Sequence, residues 1–206
     1  MTTPKKKKTE EKILKAALSL FVRKGYNGTS VDEITRAAQM TKGALYGHFD
    51  SKGSLVLRLI EEFKSRFVQE MIKISERDDL TSIEKIHTIL SFNARLALEN
   101  QPLCVLPTFL TFELKEHVTF ETALKQLYSE YKSHLGKVIK QGQKEGAFKK
   151  ELDPELVALV FLSLHDGVLY QWILNQDLID GKEFVKTFRI IFFEGLLSTP
   201  AEASKK

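Results

Sequence analysis

Thr29-Ser-Val-Asp-Glu-Ile-Thr-Arg-Ala-Ala-Gln-Met-Thr-Lys-Gly-Ala-Leu-Tyr-Gly-His-Phe-Asp-Ser-Lys52 holds three helix starts in close succession. Ser30 and Glu33 have the S-x-x-E spacing of a capping box, so a helix is predicted to begin at Val31. Val31, Ile34 and Ala38 then share one face at helical spacing. Thr41 is a second good N-cap, and Leu45 restarts the apolar period. The chain must therefore turn near Gln39-Met40 and form a short helix from Lys42 to about His48. Met40, Leu45 and Phe49 are its inward anchors, while Lys42, Ala44 and Tyr46 face outward. Gly43 lies within that helix, where glycine costs about 1 kcal/mol against alanine; a close backbone approach from outside would account for it. Asp50 or Ser51 caps a third helix carrying Lys52 in its first turn. Two short helices around a tight turn are the layout that sets a second helix into a DNA major groove.

The stretch resembles the DNA-binding domain of the TetR family of bacterial regulators. That family's pattern runs roughly T-[TS]-[VM]-x-x-I-A-x-x-A-G-V-S-x-G-x-[LIF]-Y-x-[HY]-F-x-[SN]-K-E-x-L. The chain matches it at Thr29, Ser30, Val31, Ile34, Ala38, Thr41, Gly43, Leu45, Tyr46, His48, Phe49, Ser51, Lys52 and Leu55. Upstream, Ile13, Ala16, Ala17, Leu20, Phe21 and Gly25-Tyr26 fit the family's first helix and its stop. Departures fall at Thr35, Gln39 and Gly53. A left-handed turn residue at Gln39 would carry about 1–2 kcal/mol of strain. The resemblance implies an all-α, dimeric, ligand-responsive repressor that is cytoplasmic and binds a palindromic operator. Its DNA-contacting set would be Thr29, Thr41, Lys42, Gly43, Ala44, Tyr46, His48 and Lys52. Lysine can donate to guanine or phosphate, Ala44 can meet a thymine methyl, and Tyr46, His48 and Lys52 suit phosphates.

Charge distribution supports a nucleic-acid-binding head. Residues 1–60 carry twelve Lys/Arg against five Asp/Glu, a charge of +7, whereas residues 61–206 carry 19 against 22, or −3. No stretch of 18 uncharged apolar residues occurs, so no membrane span is expected. The basic N-terminus lacks an apolar stretch before Ile13 and does not read as a secretory signal. The single cysteine, Cys104, excludes an internal disulfide.

Beyond residue 52 the periodicity stays helical. Leu55, Val56, Ile60, Phe63, Phe67, Met71 and Ile74 predict one long helix from about 52 to 76. Further helices are expected over 82–100, about 107–117 after an irregular segment framed by Pro102 and Pro107, 119–145, 154–175 and 180 onward. Asp153-Pro154 and Asp180 are the caps of the last two. The helix from 154 is apolar around so much of its circumference that burial on both sides is expected. The total is nine helices and no strand. Residues 1–8 read as a disordered basic arm, 9–52 as the DNA-binding domain, 53–198 as an effector-binding and dimerisation domain, and 199–206 as a disordered tail.

Aromatic and polar side chains in the middle helices are candidates for an apolar effector cavity: Phe92, Asn93, Phe109, Phe112, Glu113, His117, Tyr128, Tyr131 and Trp172. Asp166-Gly167 followed by Trp172 resembles a D-G-x-x-x-x-W-type run of the family's penultimate helix. By that analogy Phe161, His165, Phe184, Phe188, Ile191 and Phe192 are candidates for a homodimer interface. The alternative is a metal or redox sensor on the same scaffold. The five histidines lack H-x-x-x-H or H-E-x-x-H spacing, and Cys104 lies among Leu103, Val105 and Leu106. No metal, no cofactor and no catalytic residue is expected, since neither a G-x-S-x-G nor a phosphate-loop pattern is present.

Overall fold

A computed structural model describes residues 4–111, 113, 117–175 and 177–197. Its helices are α1 (Pro4–Lys24), α2 (Val31–Ala37), α3 (Lys42–Tyr46), α4 (Lys52–Phe63), α5 (Gln69–Ser75), α6 (Ser82–Glu99), α7 (Gln101–Thr111), α8 (Val118–Glu145), α9 (Pro154–Leu174) and α10 (Gly181–Leu196). A π-helical turn, Lys64–Val68, joins α4 to α5 without a break. Counting that run as one helix gives nine among the described residues. The only β-type pairing there is an isolated antiparallel bridge, Phe148 with Leu197.

The local rules that start helices act as the sequence implies. Ser30, Thr41, Ser51, Asp153 and Asp180 are all N-caps whose side chains accept backbone N–H bonds. Three expectations are corrected. Pro4–Lys8 belong to α1 rather than to a disordered arm: proline is tolerated in a first helical turn, and lysine is a good helix former. The expected irregular segment at 102–107 is helical, with Pro107 inside α7 and buried. That proline cannot donate to the Leu103 carbonyl, but burial of Leu103, Leu106 and Leu110 holds the helix. The long helix is interrupted by the π turn, which keeps Phe67 and Val68 buried. The expected tail at 199–206 lies outside the described residues.

The chain packs as two units. One comprises residues 1–64 and 100–125, the other 65–99 and 126–206. In the first, Ile13, Ala17 and Phe21 of α1 form a fully buried core with Ile34, Leu45 and Leu55. Here α7 packs on α1 and α4. In the second, Ile86, Ile89, Leu135, Val138, Phe148 and Phe161 are fully buried. Its α6 and α8 are tied at their ends by Glu145, whose carboxylate accepts from the Ser82 N–H at 3.0 Å and the Ser82 hydroxyl at 2.6 Å.

Candidate functional site

In the first unit, the capping box at the head of α2 is complete. The Ser30 N–H donates to Glu33 Oε2 at 2.9 Å, and the Glu33 N–H donates to Ser30 Oγ at 3.2 Å. The Lys24 ammonium also donates to Glu33; these bonds together hold the Glu33 carboxyl down to about 2. After α2 the chain reverses at Gln39, whose φ of 55° is left-handed. This strained residue lets the Met40 N–H reach the Thr35 carbonyl at 2.8 Å. Thr41 then accepts from the Ala44 N–H at 3.1 Å and starts α3.

Leu45 is fully buried and Phe49 nearly so, which fixes the rotation of α3 and leaves Lys42 and Tyr46 exposed, Ala44 half-exposed. His48 is half-buried, and its Nδ1 has no hydrogen-bond partner. A Cβ placed on Gly43 would meet only Thr41 Oγ1, at 3.9 Å. Nothing within the chain therefore requires glycine there. The Lys42 ammonium lies 2.8 Å from Asp32 Oδ1, and that hydrogen bond pushes its pKa upward.

Two of the eight expected contact residues are turned to internal work. Thr29 is 1% exposed, and its hydroxyl donates to the Gly25 carbonyl at 2.8 Å, so it cannot present a side chain to a duplex. Lys52 was expected on a phosphate. Its ammonium instead donates to the carbonyls of Tyr26 and Thr29 at 2.7 and 2.8 Å and stands over the Tyr26 ring. Partial burial accordingly lowers its pKa. Tyr26 is in turn packed edge-on by His117 and Phe120, and its N–H donates to Glu113 at 2.7 Å. Gly25 makes this approach possible. Its φ is +74°, and a Cβ there would stand 2.5 Å from the Glu113 carboxylate.

In the second unit, α6, α9 and α10 surround a cavity of about 240 Å³. Leu90, Val168, Trp172 and Phe184 contribute apolar wall, and Asn93, His165 and Lys182 the side chains with polar heads. Asn93 is 3% exposed. Its Nδ2 donates to the Tyr131 hydroxyl at 3.0 Å, while its Oδ1 is buried with no hydrogen-bond partner. Tyr131 stands behind it, and burial pushes its hydroxyl's pKa up. The Tyr128 hydroxyl, also raised by burial, donates to Asp166 Oδ2 at 3.2 Å.

A model of the bacterial regulatory proteins of the tetR family matches residues 13–59, and a model of the YsiA-like C-terminal region matches residues 60–194. The chain belongs to the TetR family. It is similar to the HTH-type transcriptional repressor DhaR of Mycobacterium sp. strain GP1, at 26% identity over 94% of this chain and 95% of that one. The HTH-type transcriptional repressor KstR2 of Rhodococcus jostii strain RHA1 is 28% identical over 90% of each chain. Among solved structures, the MbdR regulator from Azoarcus sp. CIB superposes with a TM-score of 0.83 at 27% identity, covering 92% of this chain and all of that one. The chain is thus a DNA-binding transcriptional regulator with a helix-turn-helix.

Several expected effector and dimer residues of this TetR-family chain fall elsewhere. Asn93 and Trp172 line the cavity, but Phe92 packs against Phe67 in the core, and Tyr128 is held by Asp166. Phe109, Glu113 and His117 lie in the DNA-binding unit, because α7 packs on α1. There Phe109 and Glu113 border a separate cavity of about 140 Å³ with Phe21 and Tyr26. Phe112 lies outside the described residues.

For the dimer set, Phe161, Phe188 and Phe192 stack on one another inside the unit, with ring centroids 5.1–6.1 Å apart. His165 and Phe184 line the cavity, and only Ile191 of the six is strongly exposed, at 64%. The face of α9 expected to be buried instead exposes Leu156, Leu159, Val160 and Leu164. By length and composition α9 could also cross a membrane. Its opposite face is packed, with Ala158, Phe161, Leu162 and Leu169 buried.

Nothing favours the metal or redox alternative. Cys104 is buried, and burial pushes its thiol up to about 12. Among the described residues no three His, Cys, Asp or Glu side chains gather as a metal site would need.

Proposed function

We propose that this regulator is a homodimeric repressor that places α3 in successive major grooves of a palindromic operator and lets go when a small, largely apolar effector occupies its second unit. The observation that carries the DNA reading is Gly43. It weakens α3, nothing inside the chain uses its lack of a Cβ, and it lies between Lys42 and Ala44 on the outward face. A phosphate or base edge approaching that backbone supplies the missing reason. Lys42, Ala44 and Tyr46 then meet the groove, with Thr41 and His48 at its margins. In this reading Lys42 exchanges Asp32 for DNA.

The exposed apolar face of α9, with Ile190 and Ile191 of α10, supports the dimer, since two copies would cover each other's Leu156, Leu159, Val160 and Leu164. Effector control rests on the cavity of α6, α9 and α10. The relatives' names make them repressors, and repression is carried over from them. A regulator of this kind works in the bacterial cytoplasm, where the DNA is.

Linkage makes the release testable. An effector that favours the DNA-free state 100-fold supplies about 2.7 kcal/mol of coupling, and DNA must weaken effector binding by the same factor. Small molecules retained by the purified protein would be identified by mass spectrometry, then titrated by calorimetry with and without a bound duplex. Weaker binding to the DNA complex is expected; equal affinity contradicts release by effector.

A further inference from the structure

Asn93 poses a chemical requirement that an apolar cavity alone does not. A buried amide oxygen without a partner is unfavourable, because it has lost its water and gained nothing in return. Asn93 is fixed by its Nδ2 bond to Tyr131 and forms part of the cavity wall, so its Oδ1 is held rather than free to swing away. We infer that the cavity among α6, α9 and α10 takes a compact, neutral hydrophobe that donates one hydrogen bond to Asn93 Oδ1, such as a phenol, an alcohol or a neutral amine. This rests on the reading of the second unit as an effector domain, and adds the class of effector.

Each part of that class follows from the walls. A carboxylate or phosphate has no proton to give Oδ1. A cationic amine would find no counter-charge, since the described lining residues include no Asp or Glu. Size is limited too: about 240 Å³ lies below the roughly 300–1,000 Å³ typical of drug-sized ligands. Leu90, Val168 and Phe184 favour an apolar body, and Trp172 offers a ring for an aromatic ligand to pack on.

Trp172 is the only tryptophan in the chain, so its emission reports occupancy of this cavity without any DNA present. The test titrates the full-length protein with 4-butylphenol, with its methyl ether 4-butylanisole, and with 4-butylaniline. The phenol and the aniline should shift Trp172 emission, and the phenol should bind about tenfold more tightly than the ether, the worth of one hydrogen bond to an otherwise unpaired buried acceptor. In Asn93→Leu that ratio should fall to about one while the ether still binds. The comparison of probes in the unaltered protein stands even if this variant does not fold. Equal or tighter binding of the ether to the unaltered protein, or no change in Trp172 emission with any probe, overturns the inference. DNA affinity measured with no probe present tests the regulator reading separately. A phenol that binds as described but leaves DNA affinity unchanged supports the cavity chemistry and contradicts the release mechanism alone.

Discussion

The ammonium of Lys52 stands 4.0 Å from the centroid of the Tyr26 ring and donates to the Tyr26 carbonyl at 2.7 Å. A residue at the head of α4 thereby clamps the loop between α1 and α2, and so sets the pose of the recognition helix from behind. Lys52→Met removes two charge-assisted hydrogen bonds and a cation–π contact. Because the site is only partly buried, the expected loss is about 1–2 kcal/mol of stability. Chemical denaturation should show this loss in the DNA-free protein. Unchanged stability with uniformly weakened DNA binding would restore Lys52 to the phosphates.

Gly43→Ala separates folding from recognition. The helix gains up to about 1 kcal/mol of intrinsic propensity, and the new methyl meets nothing closer than 3.9 Å. Thermal melting should therefore be unchanged or raised, while fluorescence anisotropy should show DNA affinity falling by tenfold or more. A variant that binds DNA normally would remove the structural reason for proposing contact at Gly43.

Charge reversal on the two kinds of apolar residue should give opposite phenotypes. Leu159→Glu lies on the exposed face of α9 and should yield a folded monomer by light scattering. Phe192→Glu buries a carboxylate among Phe161 and Phe188, and should unfold the second unit rather than merely divide a dimer. A monomeric unaltered protein would contradict the interface.

How much of this was legible in the sequence followed the range of the interactions involved. Caps at Ser30, Thr41, Ser51, Asp153 and Asp180 involve partners within three residues, and the alternation of apolar positions fixed Leu45 and Phe49 inward. Even the left-handed Gln39 could be anticipated from its place in the turn. Lys52 and Thr29 were misread because their hydrogen-bonding roles depend on a loop fold; the partners of Lys52 are 23 and 26 residues away in the chain. The same limit hid the attachment of α7 to α1, which moved Phe109, Glu113 and His117 out of the expected cavity. On α10 the periodicity marked a stripe correctly, but it could not say that Phe188 and Phe192 turn toward Phe161 while Ile191 turns away.

The Glu33 carboxyl gives a pH signature. Lys24 and Ser30 depress its pKa from 4.5 to about 2, so the stabilisation it contributes is present above pH 4.5 and is lost as pH falls toward 2. The melting-temperature advantage of the unaltered protein over Glu33→Gln should be steady near neutrality, shrink below pH 4.5 and vanish near pH 2. An advantage independent of pH would show that the charge on Glu33 has no part in it.

Selection of binding sequences from a pool of random duplexes by the full-length protein tests the central claim most directly. The account predicts an inverted repeat whose half-sites are centred one helical turn, about 34–36 Å, apart, or a multiple of that distance. It further predicts that Lys42→Ala relaxes the preference within each half-site. Recovery of unrelated sequences, or of a single half-site without symmetry, would contradict it.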